Sequence, residues 1–144
     1  MSISLREITN HNWRAIVRLD PGGDQQFVAA NVYSLAEARV NHDWTPLAIY
    51  ADDEPVGFLM YGQDPDDGQF WIIRMMVDAA QQGNGYGRAA LHLVLDRLRV
   101  EPGCDSVMIG WVPGNVAAER LYESLGFRKL DEMSDGEIVA RLDL

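Results

Sequence analysis

The chain has 144 residues, a formal net charge of -10 and one cysteine, Cys104. This length predicts a single domain, residues 1–144, that can bury a sufficient core without disulfides or structural metals. The excess of acidic residues argues against a nucleic-acid partner, because nucleic acids are bound through lysine and arginine. A lone cysteine excludes an internal disulfide, as is typical of cytoplasmic proteins.

The N-terminal half predicts a strand, short helices and a hairpin. Ile3, Leu5 and Ile8 alternate with polar residues, and the first residues lack the basic start and apolar run of a signal peptide. Helices are predicted over residues 11–19, 25–31 and 34–41. Ser34 and Glu37 have the spacing of a capping box. After a loop at 42–46, strands 47–50 and 56–61 form a hairpin around an acidic turn at 52–55. No stretch of the sequence approaches the ~18 apolar residues that would suggest a membrane span.

The middle of the chain joins an apolar strand, Phe70–Val77, to an amphipathic helix that ends near Leu98. Apolar residues recur at spacings of three and four and predict one buried helix face: Ala90, Leu91, Val94, Leu95 and Leu98. Between strand and helix lies a turn with three glycines: Gln82-Gly83-Asn84-Gly85-Tyr86-Gly87-Arg88.

This glycine-rich turn has the properties of a phosphate site. The first N–H groups of a helix lack partners within the helix, and the helix dipole adds positive charge there. Glycine removes the Cβ atoms that would keep a ligand away, and Gln82 and Arg88 can add donors. A P-loop requires Gly-Lys-Ser/Thr, and a dinucleotide fingerprint requires G-x-G-x-x-G; neither is present. A turn that is glycine-rich only for its tight geometry remains an alternative.

The C-terminal part predicts a strand, a helix and a closing strand pair. Residues 107–111 are almost continuously apolar, which predicts a strand buried on both faces. A helix opens at Asn115, presents Ala118, Leu121, Tyr122 and Leu125 on one face, and ends at Gly126. Strands at 127–130 and 138–142 follow. The order β-α-α-β-β-β-α-β-α-β-β predicts an α/β domain with a mixed sheet.

Two segments resemble the GNAT family of N-acetyltransferases. Residues 82–87 match the Gln/Arg-x-x-Gly-x-Gly/Ala pattern of that family's acyl-coenzyme A pyrophosphate loop, and residues 115–127 match its N-x-x-A-x-x-L/F-Y-x-x-x-G-F segment. Segments at 27–31, 47–50 and 56–58 look like bacterial spermine/spermidine acetyltransferases within the family. The resemblance implies a single-domain, largely antiparallel mixed sheet flanked by helices, with the possibility of a homodimer.

The resemblance also implies a site for acetyl-coenzyme A as acetyl donor, in a cleft where the strand ending at Val77 splays from strand 107–111. Tyr122 would be the general acid that protonates the departing thiolate. The implied cofactor-binding residues comprise backbone groups along the pantetheine arm, the pyrophosphate loop and an asparagine: Met75, Met76, Val77, Gln82, Gly83, Asn84, Gly85, Tyr86, Gly87, Arg88 and Asn115.

The general base has no assignment from the sequence. Several family members use a glutamate on the central strand, but this strand reads Ile72-Ile73-Arg74. Acidic residues elsewhere can recruit a polyamine or accept a proton through water: Glu37, Asp43, Asp64 and Asp66. Trp44, Trp71 and Trp111 either line a substrate channel or pack in the core. The three histidines show no metal-ligand spacing, so no metal is expected.

The resulting hypothesis is direct transfer of an acetyl group to a primary amine in a ternary complex, with no acyl-enzyme. A small-molecule polyamine such as spermidine or spermine is the expected acceptor, on the strength of the resemblance. Another small amine or a protein N-terminus is the alternative acceptor. A non-catalytic sensor that binds acyl-coenzyme A is the alternative from a different functional class.

Overall fold

A computed structural model describes residues 2–23 and 30–144. Most of the helix predicted over 25–31, and of the segment 27–31, lies outside the described residues. The described elements, in chain order, are β1 (Ile3–Glu7), α1 (Trp13–Arg18), α2 (Asn31–Val40), β2 (Trp44–Ala51), β3 (Glu54–Gln63), β4 (Phe70–Val77), α3 (Tyr86–Arg99), β5 (Ser106–Trp111), α4 (Val116–Ser124), β6 (Arg128–Ser134) and β7 (Glu137–Asp143). This order confirms the predicted α/β architecture.

One seven-stranded sheet organises the described chain, in the order β1-β2-β3-β4-β5-β7-β6. Its neighbours pair antiparallel except for β4 and β5, which are parallel. One face packs against α3 and α4, whose buried positions include all five apolar α3 residues predicted from their spacing. The other face packs against α1 through Ile16 and also buries Phe58 and Met76. In the part of the chain that the structure describes, no helix is long and apolar enough to cross a membrane.

The parallel pairing of β4 with β5 stops after two residue pairs, Trp71 with Met108 and Ile72 with Ile109. On the opposite edge of β4, the register against β3 shifts so that Ile73 is the extra residue of a β-bulge. A bulge bends its strand and increases the local twist. We attribute the separation of β4 from β5 to this bend, and the separation leaves a cleft beside residues 73–77.

The capping box predicted at Ser34 and Glu37 is wrong. Helix α2 begins three residues earlier, at Asn31, whose side-chain amide donates to Ile16 O at 2.8 Å. Ser34 is therefore inside the helix and fully buried, while Glu37 pairs with Arg74 on the central strand. Tertiary contacts decide the start of this helix, where the local pattern alone favoured a later one.

Candidate active site

The glycine-rich turn between β4 and α3 presents free backbone donors. Gly83 and Gly85 are exposed and have φ values of 85° and 78°, and nothing lies within 4 Å of a Cβ added at either position. Ala89 N, in the first turn of α3, donates to Gly85 O at 3.1 Å. The N–H groups of Gly83, Gly85, Gly87 and Arg88 have no acceptor among the described residues. These donors are arranged as an anion site requires.

The side chains of this turn hold its shape. The Gln82 amide donates to Pro21 O at 2.8 Å and to Val77 O at 3.0 Å, and the Asn84 amide donates to Gln81 O at 3.0 Å. Arg88 donates to the Ser124 hydroxyl at 2.8 Å and so ties α3 to α4. The open donors of the turn are its backbone N–H groups, together with the guanidinium N–H groups of Arg88 that Ser124 does not use.

Tyr86 and Gly87 contribute packing at the start of α3. The Tyr86 side chain is buried in the core, so its contribution to the turn is through its backbone. A Cβ at Gly87 would lie 3.2 Å from Met75 Cε and 3.9 Å from Leu121 Cδ2. Glycine at this position therefore lets α3 approach β4 and α4 closely.

A cavity of about 550 Å³, which we call the cofactor cavity, extends from this turn along β4. Its lining joins the end of β4, the glycine-rich turn and α4, and includes these residues that the sequence singled out: Met75, Met76, Val77, Gln82, Gly83, Gly85, Tyr86, Gly87, Asn115 and Tyr122. Pro21, Gly22 and Gly23 close one side. The fold thus brings residues predicted from the sequence pattern to one cavity. No sequence pattern pointed to residues 21–23 as part of its wall.

Asn115 is the N-cap of α4, and Tyr122 lies within that helix. The Asn115 side chain caps the helix by accepting from Ala118 N at 3.3 Å. Two turns later, Tyr122 packs against Trp111, with ring centroids 5.6 Å apart, and against Phe127 at 6.1 Å. Gly126, with φ of 100°, ends the helix as predicted. This packing fixes the phenol ring at the end of the cofactor cavity.

The Tyr122 side chain is buried, at 7% exposure, and its hydroxyl has no hydrogen-bond partner among the described residues. Burial, with the negative charge of Glu137 as a second cause, raises the pKa of Tyr122 to about 12. The phenol therefore keeps its proton at neutral pH. A protonated hydroxyl without a protein partner, on a side chain that lines the cavity, is suited to donate that proton to a bound group.

We expect Tyr122 to remain neutral where ordinary tyrosines begin to ionise. The raised pKa means that the phenol of Tyr122 loses its proton only as pH rises through about 12, whereas an ordinary tyrosine ionises near pH 10. The protonated form, which is the form that can donate, is therefore present at all lower pH. Spectrophotometric titration of tyrosinate should give the same absorbance at pH 10 for the wild type and Tyr122→Phe. A larger signal from the wild type at that pH would contradict the shielding of this phenol.

Two further cavities continue beyond Tyr122. The first, of about 370 Å³, shares Met75, Asn115, Ala118 and Tyr122 with the cofactor cavity and reaches Arg74, Asp135 and Glu137. The second, of about 250 Å³, shares Arg74, Gly110, Asp135 and Glu137 with the first and extends to Trp44 and Trp71. Together they form a continuous groove that passes between β4 and β5. We call its part beyond Tyr122 the acidic groove.

Carboxylates dominate the far end of this groove. The lining residues there include five acids, and Arg74 is the cation among them: Glu37, Asp64, Asp67, Asp135 and Glu137. Of the acids proposed from the sequence, Glu37 and Asp64 line the groove, whereas Asp43 and Asp66 are not among its lining residues. Trp44 and Trp71 line its far cavity, and Trp111 lines the cavity nearer the cofactor, as one of the two sequence-based alternatives had it. Trp111 also packs against Tyr122.

Arg74 lies on the central strand, in the segment 72–74 that has no carboxylate. Its guanidinium donates to Glu37 Oε1 at 3.0 Å and to Ile73 O at 2.9 Å. Its Nε is buried without a partner among the described residues. Arg74 pairs with Glu37, and its charge also acts on Glu137. Asp64, Asp67 and Asp135 form no ion pair among the described residues.

The one cysteine of the sequence is not placed as a covalent nucleophile for this site. Cys104 is buried and lines neither the cofactor cavity nor the acidic groove. Its thiol donates to Ser106 O at 3.5 Å. Burial, together with the charges of Glu101 and Asp105, raises the pKa of this thiol, which disfavours the reactive thiolate. Among the described residues, no group of three or more histidine, cysteine or acidic side chains is placed to hold a metal ion.

The residues fit acetyl-coenzyme A. Open N–H groups and absent Cβ atoms at Gly83 and Gly85 suit a pyrophosphate. Beyond Ile72, the edge of β4 facing β5 pairs with no strand of the described residues, which leaves main-chain groups for an amide-containing arm. Tyr122, whose hydroxyl is unpartnered, stands where this cavity meets the acidic groove.

Known proteins share both the sequence and the fold. The model of the acetyltransferase (GNAT) family matches residues 5–127. Spermine/spermidine N(1)-acetyltransferase of Bacillus subtilis (strain 168) is 29% identical over 147 residues, which cover 96% of this chain and 97% of that protein.

Solved structures match over nearly their whole length. A domain from Methanocaldococcus jannaschii has a TM-score of 0.78 at 21% identity and covers 99% of both chains. PaiA N-acetyltransferase from Thermoplasma acidophilum, solved in complex with coenzyme A, has a TM-score of 0.74 at 13% identity and covers 100% of both chains. The structural likeness supports the fold, and the match across residues 5–127 shows that the chain belongs to the acetyltransferase (GNAT) family.

Proposed function

We propose that this acetyltransferase moves the acetyl group of acetyl-coenzyme A to a primary amine of a polyamine by direct attack. Acetyl-coenzyme A, when bound, supplies an activated thioester. The observation that carries the proposal is the continuous groove: open backbone donors at one end, Tyr122 in the middle, and unpaired carboxylates at the other end.

The chain's own residues divide the work along this groove. We assign the backbone N–H groups of Gly83, Gly85, Gly87 and Arg88 to the pyrophosphate. We assign the edge of β4 from Met75 to Val77 to the pantetheine arm. An N–H of that edge is the donor available to polarise the thioester carbonyl. The Asn115 amide nitrogen, which is not used in the helix cap, is available to the same arm.

Tyr122 is the proposed general acid. Its phenol is protonated, buried and unpartnered at the junction of the cofactor cavity and the acidic groove. A neutral donor at this point can protonate a departing thiolate without bringing in water. The neighbouring rings of Trp111 and Phe127 keep the phenol oriented.

The acidic groove supports a polyamine over a simple monoamine. A polyamine is a linear polycation, and one ammonium group can stay against Asp64, Asp67 or Asp135 while another reaches Tyr122. Carboxylates that line one cleft also raise the local concentration of cations. The Bacillus relative is named for spermine and spermidine, which agrees with this charge pattern.

We expect spermidine to be acetylated with a kcat/KM at least about tenfold above that of butylamine, which carries a single charge. The preference should shrink as salt is added, because screening weakens attraction between ions. Release of coenzyme A thiol across spermidine, spermine, butylamine and a peptide with a free N-terminus measures this. Equal values for spermidine and butylamine would contradict the polyamine assignment and leave amine acetylation standing.

The alternative of a non-catalytic sensor predicts a different pair of results. A sensor would bind acetyl-coenzyme A tightly and release no thiol with any amine in the panel. Tyr122, buried and protonated beside the cofactor cavity, favours turnover. A cytoplasmic location and homodimer formation belong to the same proposal and rest on the lone cysteine and the family resemblance.

A further inference from the structure

We infer that Glu137 is the general base that takes the proton from the incoming amine, and that Gly110 provides the space its carboxylate occupies. This inference rests on the proposed function. It fills the role that the central strand leaves open, because that strand carries Arg74 in place of an acid.

Glu137 lies where the reaction needs a base. It begins β7, which pairs with β5, and it lines both cavities of the acidic groove. It shares the cavity nearer the cofactor with Tyr122, and its charge reaches that phenol. Glu37, by contrast, is held by Arg74, and Asp64 lines only the far cavity.

Gly110 makes room for this carboxylate. A Cβ added at Gly110 would lie 3.0 Å from Glu137 Oε1 and 3.6 Å from Glu137 Cβ. Glu137 therefore lies across the surface of β5 at the one position of that strand that lacks a side chain. Glycine weakens a strand interior, and its presence here is explained by the close approach of the acid.

The surroundings of Glu137 favour proton acceptance. Partial burial raises the pKa of its carboxyl, the Arg74 guanidinium lowers it, and Asp135 raises it. The groups facing it are Arg74 from β4, Tyr122 from α4 and Asp135 from the β6–β7 turn, with Glu37 of α2 behind Arg74. A carboxylate with a raised pKa is a stronger base, and it is lost as pH falls through that pKa.

The proton balance closes with these two side chains. An ammonium proton passes to the Glu137 carboxylate, and the nitrogen's electron pair forms the C–N bond. The C–S bond breaks with its electron pair going to sulfur, which takes the Tyr122 proton. The new amide nitrogen gives its surplus proton back to Tyr122, and Glu137 releases its proton to solvent. The products are an N-acetyl amine, coenzyme A thiol and one proton.

The test is Glu137→Gln, which keeps the shape and removes the charge. With spermidine at pH 7 we expect kcat to fall about a hundredfold, as for loss of a general base. The deficit should shrink as pH approaches the pKa of the amine itself, where free amine needs no base. A fluorinated alkylamine that is already neutral at pH 7 should be acetylated at similar rates by both proteins.

Matched variants separate this role from others. Glu132→Gln makes the same change on the same hairpin at an exposed position outside the groove, and it should leave kcat and the pH profile unchanged. Gly110→Ala keeps the acid but displaces it, so it should lower kcat severalfold. Calorimetric titration should show spermidine binding more weakly to Glu137→Gln, with coenzyme A binding retained.

The outcomes are distinguishable. If Glu137→Gln has the pH profile of the wild type, Glu137 is not the base, and the proposed function stands. If the deficit is the same at every pH and persists with the neutral amine, Glu137 only positions the substrate, and the inference is overturned. If the wild type releases no thiol with any amine, the proposed function fails and the inference fails with it.

Discussion

Tyr122→Phe should lower kcat about a hundredfold or more while leaving coenzyme A affinity nearly unchanged. The variant removes one hydroxyl that has no partner among the described residues, so neither packing nor a protein hydrogen bond is lost. General acids contribute about 10²–10⁴ to rate, and only the departing thiolate uses this proton. Thiol release measures turnover, and calorimetry with coenzyme A measures affinity.

Tyr33→Phe is the control for the removal of a phenol oxygen. Tyr33 is 60% exposed on α2, away from the groove, and its variant should match the wild type in both assays. Full turnover in Tyr122→Phe would remove the acid assignment. A parallel loss of turnover and coenzyme A affinity would instead indicate that the hydroxyl serves in cofactor binding.

Gly85→Val should weaken coenzyme A binding at least about tenfold. Gly85 caps α3 with φ of 78°, a left-handed conformation that costs a β-branched residue about 1–3 kcal/mol. The new side chain also projects into the open space in front of the free N–H groups. Each 1.4 kcal/mol is about tenfold in affinity, so strain that reshapes the turn is sufficient. Calorimetric titration with coenzyme A gives the value.

Gly103 provides a closely matched control. It has φ of 79°, is exposed, and has nothing within 4 Å of an added Cβ, as at Gly85. It lies between α3 and β5, outside the grooves. Gly103→Val should therefore lose similar thermal stability and keep coenzyme A affinity. Unchanged affinity in Gly85→Val, or an equal loss in Gly103→Val, would count against a pyrophosphate site at this turn.

The cofactor end of the proposed site could be predicted from the sequence because its signals are local. A strand, a glycine-rich turn and a helix face are each read from adjacent residues, and Gly85 and Tyr122 fall within such patterns. The structure places both on one cavity. The predicted capping box failed because tertiary contacts, and not the local pattern, set the start of α2. Ser34 is buried inside the helix, and Glu37 forms an ion pair with Arg74.

The acceptor end depends on contacts that no local pattern encodes. Glu137 reaches the groove because β7 inserts beside β5, in a register that pairs Gly110 with Val139. That pairing joins residues almost thirty positions apart in the chain. The one available signal was Gly110 itself, an isolated glycine in an apolar strand, which marks a close approach without naming the approaching group.

The two-pair contact between β4 and β5 divides the sheet into a four-stranded and a three-stranded half. Fewer residues pair between β4 and β5 than between any other two neighbouring strands of the described chain. A ligand arm that binds there can form main-chain hydrogen bonds that β4 and β5 do not form with each other. Its binding therefore stabilises the two halves of the sheet against separation. The proposed cofactor cleft thus coincides with the junction of the described sheet that has the fewest paired residues.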